Sequence, residues 1–332
     1  MMSNLALPTK RLLPWGNLGE DVKGIKDART AMEKSGLDWE VEMRPIFLKD
    51  RRTITTLHQK AICRKDLFNQ DGGEDMENPV LGLVSPSYKP VQNTVVFDWI
   101  NPLLKKKEAE LIRAGCLGNG KRVWIAAKAN RKLVVAKDEM EVFLLFYTSH
   151  DGTLAVNTRV LPVRSVCTNI LSTAHSITAG SQRKGRGDFQ ISVKHIGAAE
   201  IKVRAALQLM KRLDATLQTT SDIYEAMFSK KVKSEGVKAY MESIFPDKPK
   251  SNNNKQRVKL REDLVELHDC SPTLKEIRGT AWGLYNTITE YVSHGRSRFE
   301  KRSKETRFRT LCLGGGQRTI RTALNMAIGM LN

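Results

Sequence analysis

The sequence predicts an α+β protein, with an antiparallel β-sheet core at about residues 40–165 that is packed with helices. A mainly helical, basic C-terminal region follows the core. Up to about residue 165, short apolar or alternating runs are separated by turn residues, which is typical of strands. After Pro162, apolar residues recur at a spacing of about 3.6, which is typical of helices. Hydrophobic residues make up 40% of the 332 residues, enough for a packed core.

The first elements are short. Residues 1–38 contain early prolines and glycines, and we expect a loosely attached N-terminal arm with one short helix at Ile25–Ser35. Trp39–Leu48 alternates between apolar and polar residues, which indicates a strand. Two further short strands are predicted at Ala61–Lys65 and Val80–Val84.

A helix is predicted at Asn93–Lys107, where apolar pairs recur every three or four residues. Pro102 interrupts this pattern, and Glu108–Gly115 extends it. Asp151-Gly152 is a strong hairpin signal further on, because glycine accepts a positive φ. Three strands are predicted near this turn, at Arg122–Ala129, Glu141–Thr148 and Thr153–Val160. The turn joins the last two, and Glu141–Thr148 is apolar enough to be buried on both faces.

The second half carries helical patterns. Val166–Ala174 and Val193–Leu217 both show the helical apolar spacing. Residues 246–257 are polar, which predicts a loop or linker. Further helices are predicted at 258–267, Leu274–His294 and Gln317–Leu331. The predicted organisation is an arm at 1–38, a β-rich core at 39–175 and a mainly helical basic region at 176–332.

Charge is the first functional signal. Lys and Arg total 55 against 36 Asp and Glu, a formal net charge of +19. A protein this basic normally needs an anionic partner, and nucleic acid is the commonest because neutralised phosphates release counterions. The excess is +5 in residues 1–150 and +14 in residues 151–332. We therefore expect the anion-binding surface mainly in the second half.

Other composition signals concern location and redox state. No apolar run approaches the roughly 18 residues that a membrane span needs, and the N-terminus does not resemble a signal peptide. We therefore expect a cytoplasmic protein without a membrane partner. The widely spaced cysteines favour reduced, mostly buried thiols over disulfides or a zinc site. They are Cys63, Cys116, Cys167, Cys270 and Cys312.

The densest basic segment lies between His294 and Arg321, where only two glutamates oppose nine basic residues. Two phenylalanines lie among the arginines. Cations suit phosphates and aromatic rings stack on bases, which together are what a single strand requires. The alternative is a solvated surface with the phenylalanines turned inward. The candidate contacts are Arg296, Arg298, Phe299, Arg302, Arg307, Phe308, Arg309, Arg318 and Arg321.

Two smaller basic clusters precede it. A glycine-rich loop supplies Arg183, Lys184 and Arg186. Arg122 and Lys128 share one face of their predicted strand by parity, which would give a groove its second wall. Ordinary surface charge is the alternative. The full second cluster is Lys121, Arg122, Lys128, Arg131 and Lys132.

Two motifs suggest chemistry but lack the partners that the chemistry requires. Ser149-His150-Asp151-Gly152 lacks the further His and Asp residues of an HD-type phosphohydrolase, and a locally hydrogen-bonded turn is favoured. Leu313–Thr319 lacks the lysine and the spacing of a phosphate loop. Glycines leading into a helix can still bind an anion, with Arg318 and Arg321 nearby. We predict no catalytic residue, metal or cofactor.

Several segments together resemble a phage- and plasmid-associated family that is catalogued as a domain of unknown function (DUF932). The resemblance spans roughly residues 40–330. The matching segments, in chain order, are Arg64-Lys65-Asp66, Leu81-Gly82-Leu83-Val84-Ser85, Tyr88, Val91-Gln92-Asn93, Ala114-Gly115, Gly120-Lys121-Arg122-Val123-Trp124, Ser149-His150-Asp151-Gly152, Val163-Arg164-Ser165-Val166-Cys167-Thr168-Asn169, Trp282, Asn286 and Thr289-Glu290-Tyr291-Val292.

The resemblance implies a protein of mobile elements in a bacterial host and carries no agreed activity. A weaker similarity, to Rad-type single-strand annealing proteins, implies a curved antiparallel sheet, an oligomeric ring and an outer basic groove for single-stranded DNA. One set of motif residues is expected to hold the fold or the subunit contacts: Tyr88, Gln92, Asn93, His150, Asp151, Arg164, Asn169 and Trp282.

The leading hypothesis is sequence-independent binding and annealing of single-stranded DNA during phage or plasmid recombination, without nucleotide hydrolysis. Expected partners are single-stranded DNA, with double-stranded DNA or RNA as alternatives, other copies of the chain, and an exonuclease or a host single-strand-binding protein. Two alternatives stay open. One is a phage or plasmid protein that binds and inhibits an acidic host factor, and the other is a cryptic metal-dependent nuclease.

Overall fold

The computed structural model describes residues 13–50, 53–67, 78–154, 156–173, 199–249, 254–295 and 303–331. The fold is α+β, as predicted, with two antiparallel sheets and a helical C-terminal region. The strands are β1 (Glu20–Asp21), β2 (Val41–Asp50), β3 (Thr53–Arg64), β4 (Val80–Val84), β5 (Ala109–Leu117), β6 (Arg122–Val135), β7 (Asp138–Ser149) and β8 (Asn157–Arg164).

The helices are distributed around and after these strands. They are α1 (Ala28–Lys34), α2 (Asn93–Phe97), α3 (Asn101–Lys105), α4 (Ala199–Ser229), α5 (Ser234–Ile244), α6 (Asn254–Cys270), α7 (Ala281–His294), α8 (Lys304–Phe308) and α9 (Gly315–Gly329). Short 3₁₀ segments lie at Asp98–Ile100 and Pro272–Ile277, and a π-helical turn lies at Arg309–Leu313. No described helix has both the length and the apolarity that crossing a bilayer would take.

The larger sheet has the strand order β1-β5-β6-β7-β8, and the smaller one has the order β2-β3-β4. Every pairing is antiparallel. Strands β7 and β8 are buried almost throughout, because other elements cover both faces of the larger sheet. This explains why residues 141–148 read as a continuous apolar run rather than an alternating one.

The N-terminal segment and the C-terminal turns cover one face of the larger sheet. Trp15 packs edge-on against Phe143, with ring centroids 5.1 Å apart. Arg307 donates hydrogen bonds to the carbonyls of Leu13 and Pro14, both at 2.9 Å. The prediction of a loosely attached arm is therefore wrong for residues 13–38, which pack against the core. Residues 1–12 lie outside the described part.

The predicted helical extension at Glu108–Gly115 is wrong, because that segment forms β5. Lys107, two residues after the end of α3, adopts a positive φ of 56° and turns the chain away from the helix. The following residues pair with β6, with Ala109 opposite Ala129 and Leu117 opposite Arg122. An apolar run of this length fits a strand as well as a helix, and the pairing with β6 decides between them.

The predicted helix at Val166–Ala174 is also wrong within its described residues, which are irregular or extended. Side chains from α7 hydrogen-bond the backbone of this segment. Tyr285 Oη accepts from the Ser172 amide at 2.8 Å, Ser293 Oγ accepts from the Ile170 amide at 3.2 Å, and His294 Nε2 donates to the Cys167 carbonyl at 2.7 Å. These contacts explain why α7 is buried along its whole length although it carries polar residues.

The predicted helix at Leu274–His294 divides into two pieces. A 3₁₀ segment ends at Ile277, Gly279 turns the chain with a φ of 71°, and α7 begins after Thr280. The Thr280 side chain caps the new helix by accepting from the Gly283 amide at 3.0 Å. The helices predicted at 258–267 and Gln317–Leu331 match α6 and α9 within about four residues. The helix predicted at Val193–Leu217 continues to Ser229 as α4, and α5 was not predicted.

Candidate nucleic-acid interface

The structure brings cations from two distant sequence clusters around one small cavity of about 110 Å³, which we call the phosphate cavity. Lys121 and Arg122 contribute from the start of β6, and Arg309 contributes from the π-helical turn after α8. Glu305 and Thr306 of α8 also line the cavity. The space suits a phosphate group rather than a whole nucleotide, since ligand pockets usually exceed roughly 300 Å³.

A tight turn between β5 and β6 presents these residues. Gly118, Asn119 and Gly120 all have positive φ, at 57°, 55° and 97°. Three successive left-handed residues bend the chain sharply, and glycine and asparagine tolerate that conformation best. The turn places Lys121 at the surface, where it is exposed.

Arg122 is partly satisfied inside the protein. Its Nη2 lies 3.8 Å from Asp151 Oδ2 and 3.4 Å from Thr153 Oγ1. Its Nε is buried and has no hydrogen-bond partner among the described residues. Glu305 offsets part of the positive charge and accepts from the Gly118 amide at 3.4 Å. An anion entering the cavity would find three cations and one carboxylate on its walls.

Other members of the predicted strand cluster are engaged in ion pairs. Lys128 pairs with Glu141 at 2.6 Å, and Lys132 pairs with Glu139 at 2.9 Å. Arg131 contacts two carboxylates, one at 2.8 Å and one at 2.9 Å, on Glu108 and Asp214. The predicted basic wall along β6 is therefore largely neutralised, and only its beginning at Lys121 and Arg122 lines the cavity.

The C-terminal candidates divide in the same way. Phe308 is fully buried against Trp124, with ring centroids 4.6 Å apart, so the expectation that it stacks on bases is wrong. Arg307 holds the N-terminal segment, and burial lowers the pKa of its guanidinium. Arg309 and Arg318 are exposed, and Arg321 is half-buried. The remaining candidates lie outside the described residues: Arg183, Lys184, Arg186, Arg296, Arg298, Phe299 and Arg302.

A second basic feature, which we call the lysine groove, occupies about 860 Å³ beside β5. Sequence reasoning identified only Lys128 of its members. The run of lysines at 105–107 is visible in the sequence, but a third of the residues that line the groove come from the segment before α1. Only the fold brings the two segments together. Its lysines are Lys23, Lys26, Lys105, Lys107 and Lys128.

Several motif residues hold the smaller sheet to the larger one. Gln92 forms a reciprocal pair with the backbone of Val41, at 2.9 and 2.8 Å. Asn93 Nδ2 donates to the Leu37 carbonyl at 2.9 Å, and His150 Nε2 donates to Asn93 Oδ1 at 2.8 Å. Burial lowers the pKa of His150 to about 4, although the charge of Asp151 opposes this. His150 is thus neutral at physiological pH.

Asp151 stabilises its own turn, as predicted for the segment that contains it. It accepts from the Thr153 amide at 2.9 Å and from the Thr153 hydroxyl at 2.5 Å. Burial raises the pKa of Asp151, but these hydrogen bonds and Arg122 outweigh it, so the net pKa is below the ordinary value. Burial, aided by the Asp151 charge, raises the pKa of Tyr88. Asp151 thus stabilises the turn after β7, and Tyr88 packs partly buried against the core.

Arg164, Asp138 and Trp282 form a buried network between β8, β7 and α7. Arg164 Nε donates to Asp138 Oδ2, and Trp282 Nε1 lies 3.4 Å from the same oxygen. The carbonyl of Asn169 accepts from the Arg164 amide at 3.0 Å. The network joins the helical region to the sheet, and breaking a buried pair of this kind is strongly destabilising.

The described residues contain no group of three or more His, Cys, Asp or Glu side chains that could hold a metal ion. The class that fold and surface define is an α+β protein with two separate basic depressions. A family model, "Domain of unknown function (DUF932)", matches residues 80–312, and the chain belongs to that family. No curated protein matches the chain. No solved structure matches it either.

Proposed function

We propose that the chain binds single-stranded DNA without sequence preference and promotes the annealing of complementary strands, without nucleotide hydrolysis. The observation that carries the proposal is the convergence of Lys121, Arg122 and Arg309 on the phosphate cavity. The net charge of +19 supports it, because a chain with this excess attracts polyanions over long range. The bacterial cytosol of a phage or plasmid host is the proposed setting.

The geometry favours backbone contact over base readout. The cavity admits a phosphate, and the aromatic side chain nearest in sequence to Arg309, Phe308, is in the core. Contacts to phosphates position a strand without reading its bases, so binding should be indifferent to sequence. The Arg122 side chain is 25% exposed, and its guanidinium would donate a charge-assisted hydrogen bond to a phosphate that enters.

The test is fluorescence anisotropy of a short labelled single-stranded oligonucleotide across a salt series. The double variant Lys121→Gln/Arg309→Gln should bind roughly tenfold more weakly. Each phosphate that the protein no longer neutralises keeps its condensed counterion, so binding gains less entropy from counterion release. The slope of log affinity against log salt should also become shallower by about 0.7 for each phosphate that is no longer neutralised.

A matched control removes the same charge elsewhere. Lys132→Gln/Lys137→Gln alters two exposed lysines at the other end of β6, and it should leave affinity within about twofold of wild type. Equal reductions in the two double variants would show that only diffuse charge matters and would overturn the cavity as the contact. An absence of binding at low salt would overturn the proposal as a whole.

A further inference from the structure

The lysine groove differs from the phosphate cavity in size, location and lining. It lies between the segment before α1, the end of α3 and the outer side of β5. Lys128 has a counterion in Glu141. Within the described ranges, Lys23, Lys26, Lys105 and Lys107 form no salt bridge. One carboxylate, on Glu110, also lines the groove.

The floor of the groove is aliphatic. Ile25, Leu104, Leu111 and Ile112 line it between the lysines. No aromatic side chain is among the residues described as lining it. The backbone of a nucleic acid has no aliphatic side chains to place on such a floor, whereas the apolar side chains of a peptide can be buried there. Its chemistry instead suits a ligand that alternates anionic and aliphatic groups.

The groove also contains an open strand edge. β1 pairs with β5 only at Arg113 and Ala114, and the Val22 amide donates to the Ile112 carbonyl at 3.1 Å. Among the described strands, none pairs with the outer edge of β5 at Ala109–Leu111. Those residues line the groove. Glu110 is exposed, whereas Ala109 and Leu111 are buried, so the edge is open at Glu110. An unpaired edge of this kind can accept an additional strand through backbone hydrogen bonds.

We infer that the lysine groove binds an extended acidic peptide segment of a partner protein, which adds to the outer edge of β5 at Ala109–Leu111. The carboxylates of the segment would face the four lysines that form no salt bridge within the described ranges, and its aliphatic side chains would contact the floor. Backbone pairing would give affinity and the lysines would select acidic sequences. This interaction does not depend on DNA binding, because none of its residues lines the phosphate cavity.

The test uses a labelled peptide of alternating aspartate and isoleucine, titrated with the full chain and followed by anisotropy. The same peptide with lysine in place of aspartate should not bind. A version methylated on alternate backbone nitrogens keeps its charge but cannot pair as a strand, and it should bind about tenfold more weakly. Binding should also slow hydrogen exchange of the Glu110 amide.

Two variants test the protein side. Lys23→Gln/Lys26→Gln/Lys105→Gln should weaken peptide binding at least about tenfold by removing three of the ammonium groups. Lys107→Gly removes a fourth from a position where φ is +56°, so glycine should leave thermal stability unchanged or raise it. Its affinity should fall a few-fold. Lys132→Gln, outside the groove, is the charge control.

Three results would overturn the inference. The first is equal peptide affinity in wild type and the groove variants. The second is undiminished binding of the backbone-methylated peptide. The third is displacement of the peptide by a short oligothymidylate whose own binding the groove variants abolish, because the groove would then be a nucleic-acid site. None of these results would change the outcome of the DNA-binding test of the phosphate cavity, so the two proposals can fail separately.

Discussion

At the scale of single residues, the contact between His150 and Asn93 shows how a polar motif serves the fold. His150 is buried, donates to Asn93 at 2.8 Å and lies edge-on to Trp39. The sequence indicated that both residues are structural, through family resemblance. It could not indicate that they meet, because 57 residues separate them and the contact depends on how β7 approaches α2.

This contact predicts a pH dependence of stability. The pKa of His150 is about 4 in the folded protein and about 6.5 when exposed, so the unfolded state binds the proton more readily. Stability contributed by the neutral ring is present above pH 6.5 and is lost as pH falls toward 4. From pH 7 to 5 the free energy of unfolding should fall by roughly 2 kcal/mol, measured by urea unfolding at each pH.

His150→Gln is the matched variant, because its amide can also donate to Asn93 and does not titrate. Its free energy of unfolding should fall by roughly 2 kcal/mol less than that of wild type over the same interval, since the carboxylates that titrate in both proteins cancel in the comparison. Identical pH profiles for the two proteins would contradict the assignment of the shift to His150.

At the scale of elements, β4 packs closely against the turn after β7 at Gly82, which has no side chain. A Cβ on Gly82 would lie 2.6 Å from the Cα of Asp151. No real side chain tolerates such an approach to backbone, so the smaller sheet can dock on this turn only with glycine at that position. The motif Leu81-Gly82-Leu83 in the sequence therefore marks a close approach between two sheets.

Gly82→Ala should separate β4 from the turn and destabilise the protein by about 1–3 kcal/mol, the range for an inserted methyl group that cannot be accommodated. Thermal unfolding followed by circular dichroism checks this. Gly24→Ala is a less suitable control because its φ is +78°, whereas Thr94→Ala, exposed on α2, should change stability by less than about 0.5 kcal/mol. An equally small effect at Gly82 would contradict the close packing.

Elements also show where sequence patterns succeed and where they fail. The strand at Val80–Val84 was predicted at its observed position, because an apolar run that ends at turn residues is a local property. The strand predicted at Thr153–Val160 begins four residues later, at Asn157. β5 and the segment at 166–173 were misassigned as helical. Their conformations depend on partners that are distant in sequence, β6 in one case and α7 in the other.

At the scale of the whole molecule, net charge predicted a basic surface but only part of its location. The net charge of each half predicted an anion-binding surface mainly in the second half. The lysine groove, however, is built entirely from residues 23–128. Many predicted cations on β6 are neutralised by carboxylates, which composition cannot reveal. The phosphate cavity combines Lys121 and Arg122 from the first half with Arg309 from the second. They meet because Phe308 of α8 packs on Trp124 of β6.

The proposed annealing activity depends on the molecule as a whole, because two DNA strands of like charge must approach each other. A chain carrying +19 lowers that repulsion, and an oligomer would do so over a longer stretch and raise the local concentration of both strands. We therefore expect light scattering to show an oligomer that grows when a single-stranded oligonucleotide is added.

Complementary labelled strands should anneal faster with the protein than they do alone, without any nucleotide triphosphate. Lys121→Gln/Arg309→Gln should slow annealing in proportion to its weaker affinity, while Lys132→Gln/Lys137→Gln should not. A particle that stays monomeric with DNA, together with an unaccelerated annealing rate, would reduce the proposed function to binding alone.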